Sequence, residues 1–406
     1  MALDIVGIRG DFPILSREVY SRPLVYLDNG ATAQKPREVI EKITQFYSDL
    51  NANVHRGVHY LSSRSTEEYE GARETVREFM GAGSREEVIF TSGATAALNL
   101  VAYSFGERYI GEGDNVVVSE MEHHSNIVPW QIVCGRKGAS LRVLPFDEEG
   151  RLRVEMLPEL IDERTRIVAV TQASNVLGTR PDLGAVIAAA HAAGVPVLVD
   201  GCQGIVHGGV DVRELDCDFY AFSGHKLYGP TGTGVLYGKR RWLEDMPPFM
   251  GGGDMVSTVT FERTTYAELP LKFEAGTANY IDAVAMAGAI RYLRRFDPAE
   301  IEAHERALAE IATEGLRRLG GVRVYGTEPD KCAIVSFTAD GAHATDIAMI
   351  LDKMGIAVRS GTHCAEPVVS HFGVEGMCRA SFALYNTEEE AATFVRGVEK
   401  ALAMLR

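Results

Sequence analysis

The chain has 406 residues, 46% of them hydrophobic and 24% charged, with a formal net charge of −15. That length buries a large core and predicts more than one domain, and the acidic balance, with no basic cluster to offset it, argues against nucleic acid or an anionic membrane as partner. No apolar run approaches a membrane span, and no cationic region followed by an apolar run opens the sequence, so the expected location is the cytoplasm. The six cysteines are scattered without a C-x-x-C pair. They read as free thiols in a reducing compartment, not as a disulfide framework or a zinc site.

Residues 1–22 read as an N-terminal arm, followed by a short strand at Val25-Tyr26-Leu27-Asp28. Apolar residues recur with helical spacing over 36–50, and a second helix is expected over 66–80, closed by Gly81 and Gly83. Residues 51–63 between them form a polar loop holding His55, Arg56 and His59. Strands then alternate with helices. Strands are expected at 88–91, 116–118, 141–144, 167–171, 196–199, 219–222 and 234–237, with helices at 96–105 and 183–193. The alternation predicts an α/β fold whose mostly parallel sheet is covered on both faces. Residues 246–281 show no clear periodicity. A helix follows from about 281 to 295, and Asp297-Pro298 start another that ends at Gly320-Gly321. The remainder reads as a smaller α+β domain: strand 332–337, helix 345–354, strand 356–358, loop 359–367, strand 378–384 and a last helix whose Thr387 and Glu390 have capping-box spacing. The expected domains are the arm (1–22), a large cofactor-binding domain (23–292) and a small C-terminal domain (293–406).

Chemistry-bearing residues follow the strand ends. Lys226 comes just after the apolar run 219–222, in Ser223-Gly224-His225-Lys226. A lysine desolvated there can act as a neutral amine and form a Schiff base. Taken alone, the segment is equally a surface lysine on a Gly/Pro-rich loop. Asp200 ends the strand 196–199, and an acid at a strand end is the partner that a pyridinium nitrogen needs. The two together favour the Schiff-base reading. Small residues at Ser92-Gly93-Ala94-Thr95 leave amides bare at a helix start, which suits a phosphate, although a plain strand-to-helix connection has the same look. Thr95, His123, Asn175, Asp200 and Lys226 all follow strand ends, so one crevice would collect them.

These residues sit in motifs that resemble a known family. Asn51-Ala52-Asn53-Val54-His55-Arg56-Gly57, Glu122-His123-His124-Ser125-Asn126, Asp200-Gly201-Cys202-Gln203, Ser223-Gly224-His225-Lys226 and Arg359-Ser360-Gly361-Thr362-His363-Cys364-Ala365 occur in order along the chain. Together they resemble the SufS-type cysteine desulfurases, fold-type-I pyridoxal-phosphate enzymes, over essentially the whole length. The resemblance implies pyridoxal 5′-phosphate on Lys226, with Asp200 at the ring nitrogen, Gln203 at the ring oxygen, and His123 stacked on the ring as a proton carrier. It implies a phosphate site of Thr95, Ser223 and His225. Thr277 would be lent by the other subunit of a homodimer. Asn175 and Arg379 would grip the substrate carboxylate, with Arg359 and His55 also at the substrate.

Cys364 decides the reaction in this reading. Gly361 permits a bend before it, and the positive neighbours Arg359 and His363 would favour its thiolate. The resemblance implies that the thiolate takes sulfur from L-cysteine as a persulfide and alanine leaves. The loop 358–367 is short, and a chain reaches only ~3.3–3.6 Å per residue, so the sulfur stays near the cofactor. A SufE- or SufU-like acceptor protein is therefore implied, for iron–sulfur cluster assembly, and turnover without an acceptor or reductant would be slow. Selenocysteine lyase, kynureninase-like or aminotransferase chemistry on the same fold is the alternative, with L-selenocysteine a possible substrate; a non-catalytic scaffold is a third reading, opposed by the intact Lys226, Asp200 and Cys364. Thr362, Glu366, Cys202 and Phe222 depart from the common pattern and bear on rate and acceptor choice.

Overall fold

Seven strands form the central sheet: β1 (Val88–Thr91), β2 (Asn115–Ser119), β3 (Ser140–Leu144), β4 (Thr165–Thr171), β5 (Val197–Asp200), β6 (Phe219–Ser223) and β7 (Gly234–Gly238). Their order in this computed structural model, which describes residues 3–406, is β1-β7-β6-β5-β4-β2-β3. Five strands run parallel, from β6 through to β3. β7 lies antiparallel to both β6 and β1.

The near-continuous apolar runs of these strands follow from burial on both faces. Alternate residues feed two separate cores. Val117, Val168, Val197, Val199, Tyr220 and Phe222 face one, and Val116, Val118, Ile167, Leu198, Phe219 and Ala221 face the other. The longer helices of this part are α1 (Arg37–Asp49), α2 (Tyr60–Met80), α3 (Ala94–Tyr109), α4 (Val128–Lys137), α5 (Leu183–Ala192) and α6 (Tyr280–Leu293). α3 and α4 pack on the Leu198 side through Leu98, Val101, Phe105 and Val133. α2, α5 and α6 pack on the opposite side through Val76, Val186, Ala285 and Ile290.

A second, antiparallel sheet follows, made of β8 (Val322–Tyr325), β9 (Ile334–Ala339), β10 (Arg359–Gly361) and β11 (Met377–Ser381), in the order β8-β9-β11-β10. Around it lie α7 (Pro298–Arg317), α8 (Ala344–Lys353), α9 (Glu366–His371) and α10 (Glu388–Leu405). α7, α8 and α10 share a core with β9 and β11 through Leu308, Leu351, Phe394, Val335 and Cys378. The Asp297 carboxylate caps α7 by accepting from the Ala299 amide, and Thr387 with Glu390 forms the capping box of α10. Phe12 of the N-terminal segment packs 4.6 Å from the Tyr385 ring, 5.7 Å from Tyr292 and 5.8 Å from Tyr228. Residues Val25–Tyr26 pair in parallel with Ile356–Ala357.

Several local expectations change. α2 starts at Tyr60, not 66, because His59 Nδ1 accepts from the Ser62 amide and caps it. Residues 359–367 are not one loop but β10, a turn and the start of α9. The last strand ends at Ser381, whose amide turns to the Leu27 carbonyl. The unassigned stretch 246–281 holds a hairpin, Val256–Val259 with Thr264–Tyr266.

Candidate active site

The carboxyl ends of β4, β5 and β6 and the start of α3 open on one cleft. Thr95, His123, Asn175, Asp200, Gln203, Ser223, His225, Lys226, Arg359 and Arg379 line it. Lys226 ends a single 3₁₀ turn, Gly224–Lys226, directly after β6. That turn is pinned from outside. The His225 carbonyl accepts from the Ala33 amide (3.2 Å), Thr32 Oγ1 (3.2 Å) and Lys35 Nζ (2.9 Å). Burial lowers the Lys35 amine to about 8 and the His225 imidazole to about 4. Asp200, the last residue of β5, is 4% exposed, and its Oδ1 accepts from the Cys202 amide at 3.0 Å. Gln203 Nε2 donates to the Gly30 carbonyl at 2.8 Å.

One end of the cleft is built for an anion. Gly93 caps α3 with φ of +144°, and the first-turn amides have no acceptor within the helix. Ser223 Oγ accepts from one of them, Ala94 N, at 2.8 Å. The close approach of β7 makes this possible. A Cβ on Gly234 would lie 2.6 Å from Gly93 Cα and 2.6 Å from the Phe222 carbonyl oxygen. Thr95 Oγ1 lies 2.8 Å from Ser125 Oγ, which lies 3.0 Å from His123 Nδ1. The Ser125 amide also donates to His123 Nδ1, at 3.1 Å, so the histidine carries its proton on Nε2. Burial, then the Lys226 charge, lowers His123 to about 4.

The other end is cationic. Arg379 on β11 is 1% exposed; its Nη1 donates to the Asn175 carbonyl at 2.7 Å and its Nη2 meets Asp28 Oδ1 at 3.1 Å. Its buried Nε has no hydrogen-bond partner among the described residues. Burial raises Asp28, against the pull of Arg379. Arg359 on β10 brings Nη2 to 3.7 Å from Cys364 Sγ. Cys364 itself is half-buried on the turn between β10 and α9. Burial pushes the other five thiols up, Cys202 and Cys378 to about 12 and Cys332 to about 11. His363 differs from the expectation of a positive neighbour. Burial, then the Arg379 charge, holds it down to about 3, and its Nε2–H donates to the Met377 carbonyl at 2.9 Å. Arg359 is thus the cation that touches the thiol.

The aminotransferase class-V family model matches residues 25–394. The chain belongs to the aminotransferase class-V family. Among its class-V relatives, the cysteine desulfurase of Cronobacter sakazakii is 48% identical over 98% of both chains. The crystal structure of the cysteine desulfurase CsdA (S-sulfonic acid) from Escherichia coli superposes with a TM-score of 0.93 at 42% identity, covering 100% of each chain. The apo cysteine desulfurase of Thermococcus onnurineus NA1 gives a TM-score of 0.94 at 38% identity, covering 100% of this chain and 99% of that one.

The class-V cleft fits pyridoxal 5′-phosphate by its donor set. Lys226 and the Asp200 carboxylate stand together, and the bare amides of α3 with the Thr95 and Ser223 hydroxyls form an anion cradle at one end. Two expected site residues lie elsewhere in this chain. Thr277 lines a separate cavity with Tyr69, Phe90 and Phe249. His55, with φ of +70°, pairs through Nε2 with Glu70 at 2.9 Å. The sequence reading did not single out Ser125, although its hydroxyl links Thr95 to His123, or Asp28, which pairs with Arg379. Ser125 stands out in the sequence only by its place in the motif 122–126, and Asp28 by nothing beyond the end of a short strand. Cys202 lines the cleft beside Ser223 (Sγ to Oγ, 3.9 Å).

Proposed function

We propose that Cys364 takes the sulfur of L-cysteine as a persulfide and that L-alanine leaves. The activity is cysteine desulfuration with pyridoxal 5′-phosphate, and the observation that carries the role of Cys364 is its thiol at Arg359, on a turn joined to the Lys226–Asp200 cleft. When bound, the cofactor supplies an electron sink for bonds at the substrate's α and β carbons. Lys226 holds it and moves protons. Asp200 and Gln203 hold the ring. Thr95, Ser223 and His225 hold the phosphate. His123, neutral and protonated on Nε2, carries a proton at the ring face.

Arg379 grips the substrate carboxylate, and Asn175 and Arg359 assist. The Cys364 thiolate attacks the substrate sulfur. An S–S bond forms as the Cβ–S bond breaks, and the pair of electrons left on the carbon side is neutralised by a proton, giving alanine. Residues 23–292 serve as the cofactor-binding unit and 293–406 as the unit that carries Cys364, with the arm packed against it through residues 3–22; residues 1 and 2 lie outside the described residues. In a cytoplasmic homodimer the partner would lend Thr277 to the phosphate. The short segment around Cys364 favours an acceptor protein of SufE or SufU type, which passes sulfur on to iron–sulfur cluster assembly.

The test is alanine release without reductant or acceptor. The expected course is about one alanine per chain followed by a stall, relieved by a thiol reductant. Steady alanine formation by a Cys364→Ser variant at the wild-type rate would overturn the reading.

A further inference from the structure

We propose that His124 is a positioning residue that holds the Cys364 segment against the cofactor cleft. The inference rests on the reading of Cys364 as the sulfur carrier. His363 and Cys364 are consecutive non-glycine residues in the left-handed region, with φ of +54° and +57°. Such residues persist where their surroundings over-determine them. Contacts from the central-sheet side do so here. Asn175 Nδ2 donates to the His363 carbonyl at 2.7 Å, and the His124 amide donates to the Cys364 carbonyl at 2.7 Å.

The ring of His124 adds a second hold. α9 begins two residues after Cys364, and its cap residue, Ala365, has no side chain that can satisfy the first amides. His124 Nε2 accepts from one of them, Glu366 N, at 3.0 Å. One residue therefore brackets Cys364, with its main chain on the Cys364 carbonyl and its ring on the following helix. The far end of α9 is fixed separately. His371 Nδ1 meets Glu120 Oε1 at 3.0 Å, and the His371 ring stacks on Phe146 at 4.0 Å. His124 also follows His123 directly, so one peptide bond joins the proton carrier to the clamp. Its ring is not among the cleft-lining groups, so it acts on the sulfur only through the position of Cys364.

The test uses cofactor-loaded enzyme with His124→Ala and His124→Gln. Three rates are followed: sulfur gain on Cys364 after L-cysteine is added without reductant, by quenched-flow mass spectrometry; the change of cofactor absorbance on the same addition; and iodoacetamide alkylation of Cys364 without substrate. His124→Ala is expected to slow sulfur gain about tenfold, because a small misplacement of a reacting atom is costly. The absorbance change stays at the wild-type rate, and alkylation is at least as fast as in wild type. Glutamine offers an acceptor oxygen where Nε2 stood, so His124→Gln restores sulfur gain to within about twofold of wild type. Sulfur gain at the wild-type rate in His124→Ala overturns the inference, as does a glutamine variant no better than alanine, an equal loss of alkylation, or an equal loss of the absorbance change. A wild-type enzyme that gains no sulfur on Cys364 overturns the sulfur-carrier reading itself, and the clamp with it.

Discussion

Lys226, Asp200 and Ser223 stand at the ends of strands whose alternate residues fill two cores, whereas Cys364 stands on a left-handed turn between a three-residue strand and a six-residue helix. The first group is placed by burial of the whole sheet. The second is placed by a few hydrogen bonds from His124 and Asn175 and by the guanidinium of Arg359. A site assembled in these two ways separates its tasks. Cofactor binding is tied to the core, and sulfur handling is tied to a small number of polar contacts. Substitutions on the two sides are therefore expected to fail differently.

The largest effect is expected at Lys226, where alanine lowers turnover on the order of 10⁴–10⁶-fold and removes the absorption band of the lysine-bound cofactor. Retention of that band in Lys226→Ala would break the comparison at its first term. Cys364→Ser comes next. Desulfuration falls on the order of 10³-fold or more while the cofactor band and its response to L-cysteine stay, as steady-state rates and spectra of one preparation will show. Arg379→Lys keeps the charge and loses the planar fork that meets Asp28 and the Asn175 carbonyl. A fall in kcat/KM of about 10²-fold, mostly in KM, is expected; a pure kcat effect would argue against carboxylate binding by Arg379. Gly234→Ala presses a methyl group to 2.6 Å from Gly93 Cα and the Phe222 carbonyl oxygen, and is expected to weaken cofactor affinity about tenfold in a titration of the cofactor-free protein.

The smallest effect concerns pH. His363 is 3% exposed, with its imidazole lowered from 6.5 to about 3, so the unfolded chain binds a proton between those values that the folded chain does not. Stability from this group is complete above 6.5 and is lost as pH falls toward about 3, up to about 2 kcal/mol by pH 5. Denaturant titrations at pH 7 and pH 5 should show a smaller drop for His363→Gln than for wild type. An unchanged drop would mean that the buried ring is not neutral.

The contrast between the two regions also sets what could be read from the sequence. The strand runs at 116–118, 167–171 and 219–222 are legible because both faces are buried, and the topology then brings Thr95, His123, Asn175, Asp200 and Lys226 to one edge. The shape of 359–367 is not legible, because what holds it lies at residues 124 and 175. The neutral state of His363 depends on burial beside Arg379, which no local pattern reports. The hairpin Val256–Val259 with Thr264–Tyr266 is mostly exposed and has no apolar period to find. α4, by contrast, carries ordinary helix-boundary signals, Pro129 in its first turn and Gly138 at its end with φ of +67°.

The central claim is that Cys364 is the sulfur carrier. It is tested most directly by treating the purified yellow enzyme with L-cysteine, without reductant, and mapping the product by intact mass and peptide mass spectrometry. The account predicts one added sulfur on Cys364, removed by a thiol reductant, with alanine formed in step. Alanine formation with Cys364 unmodified would contradict it.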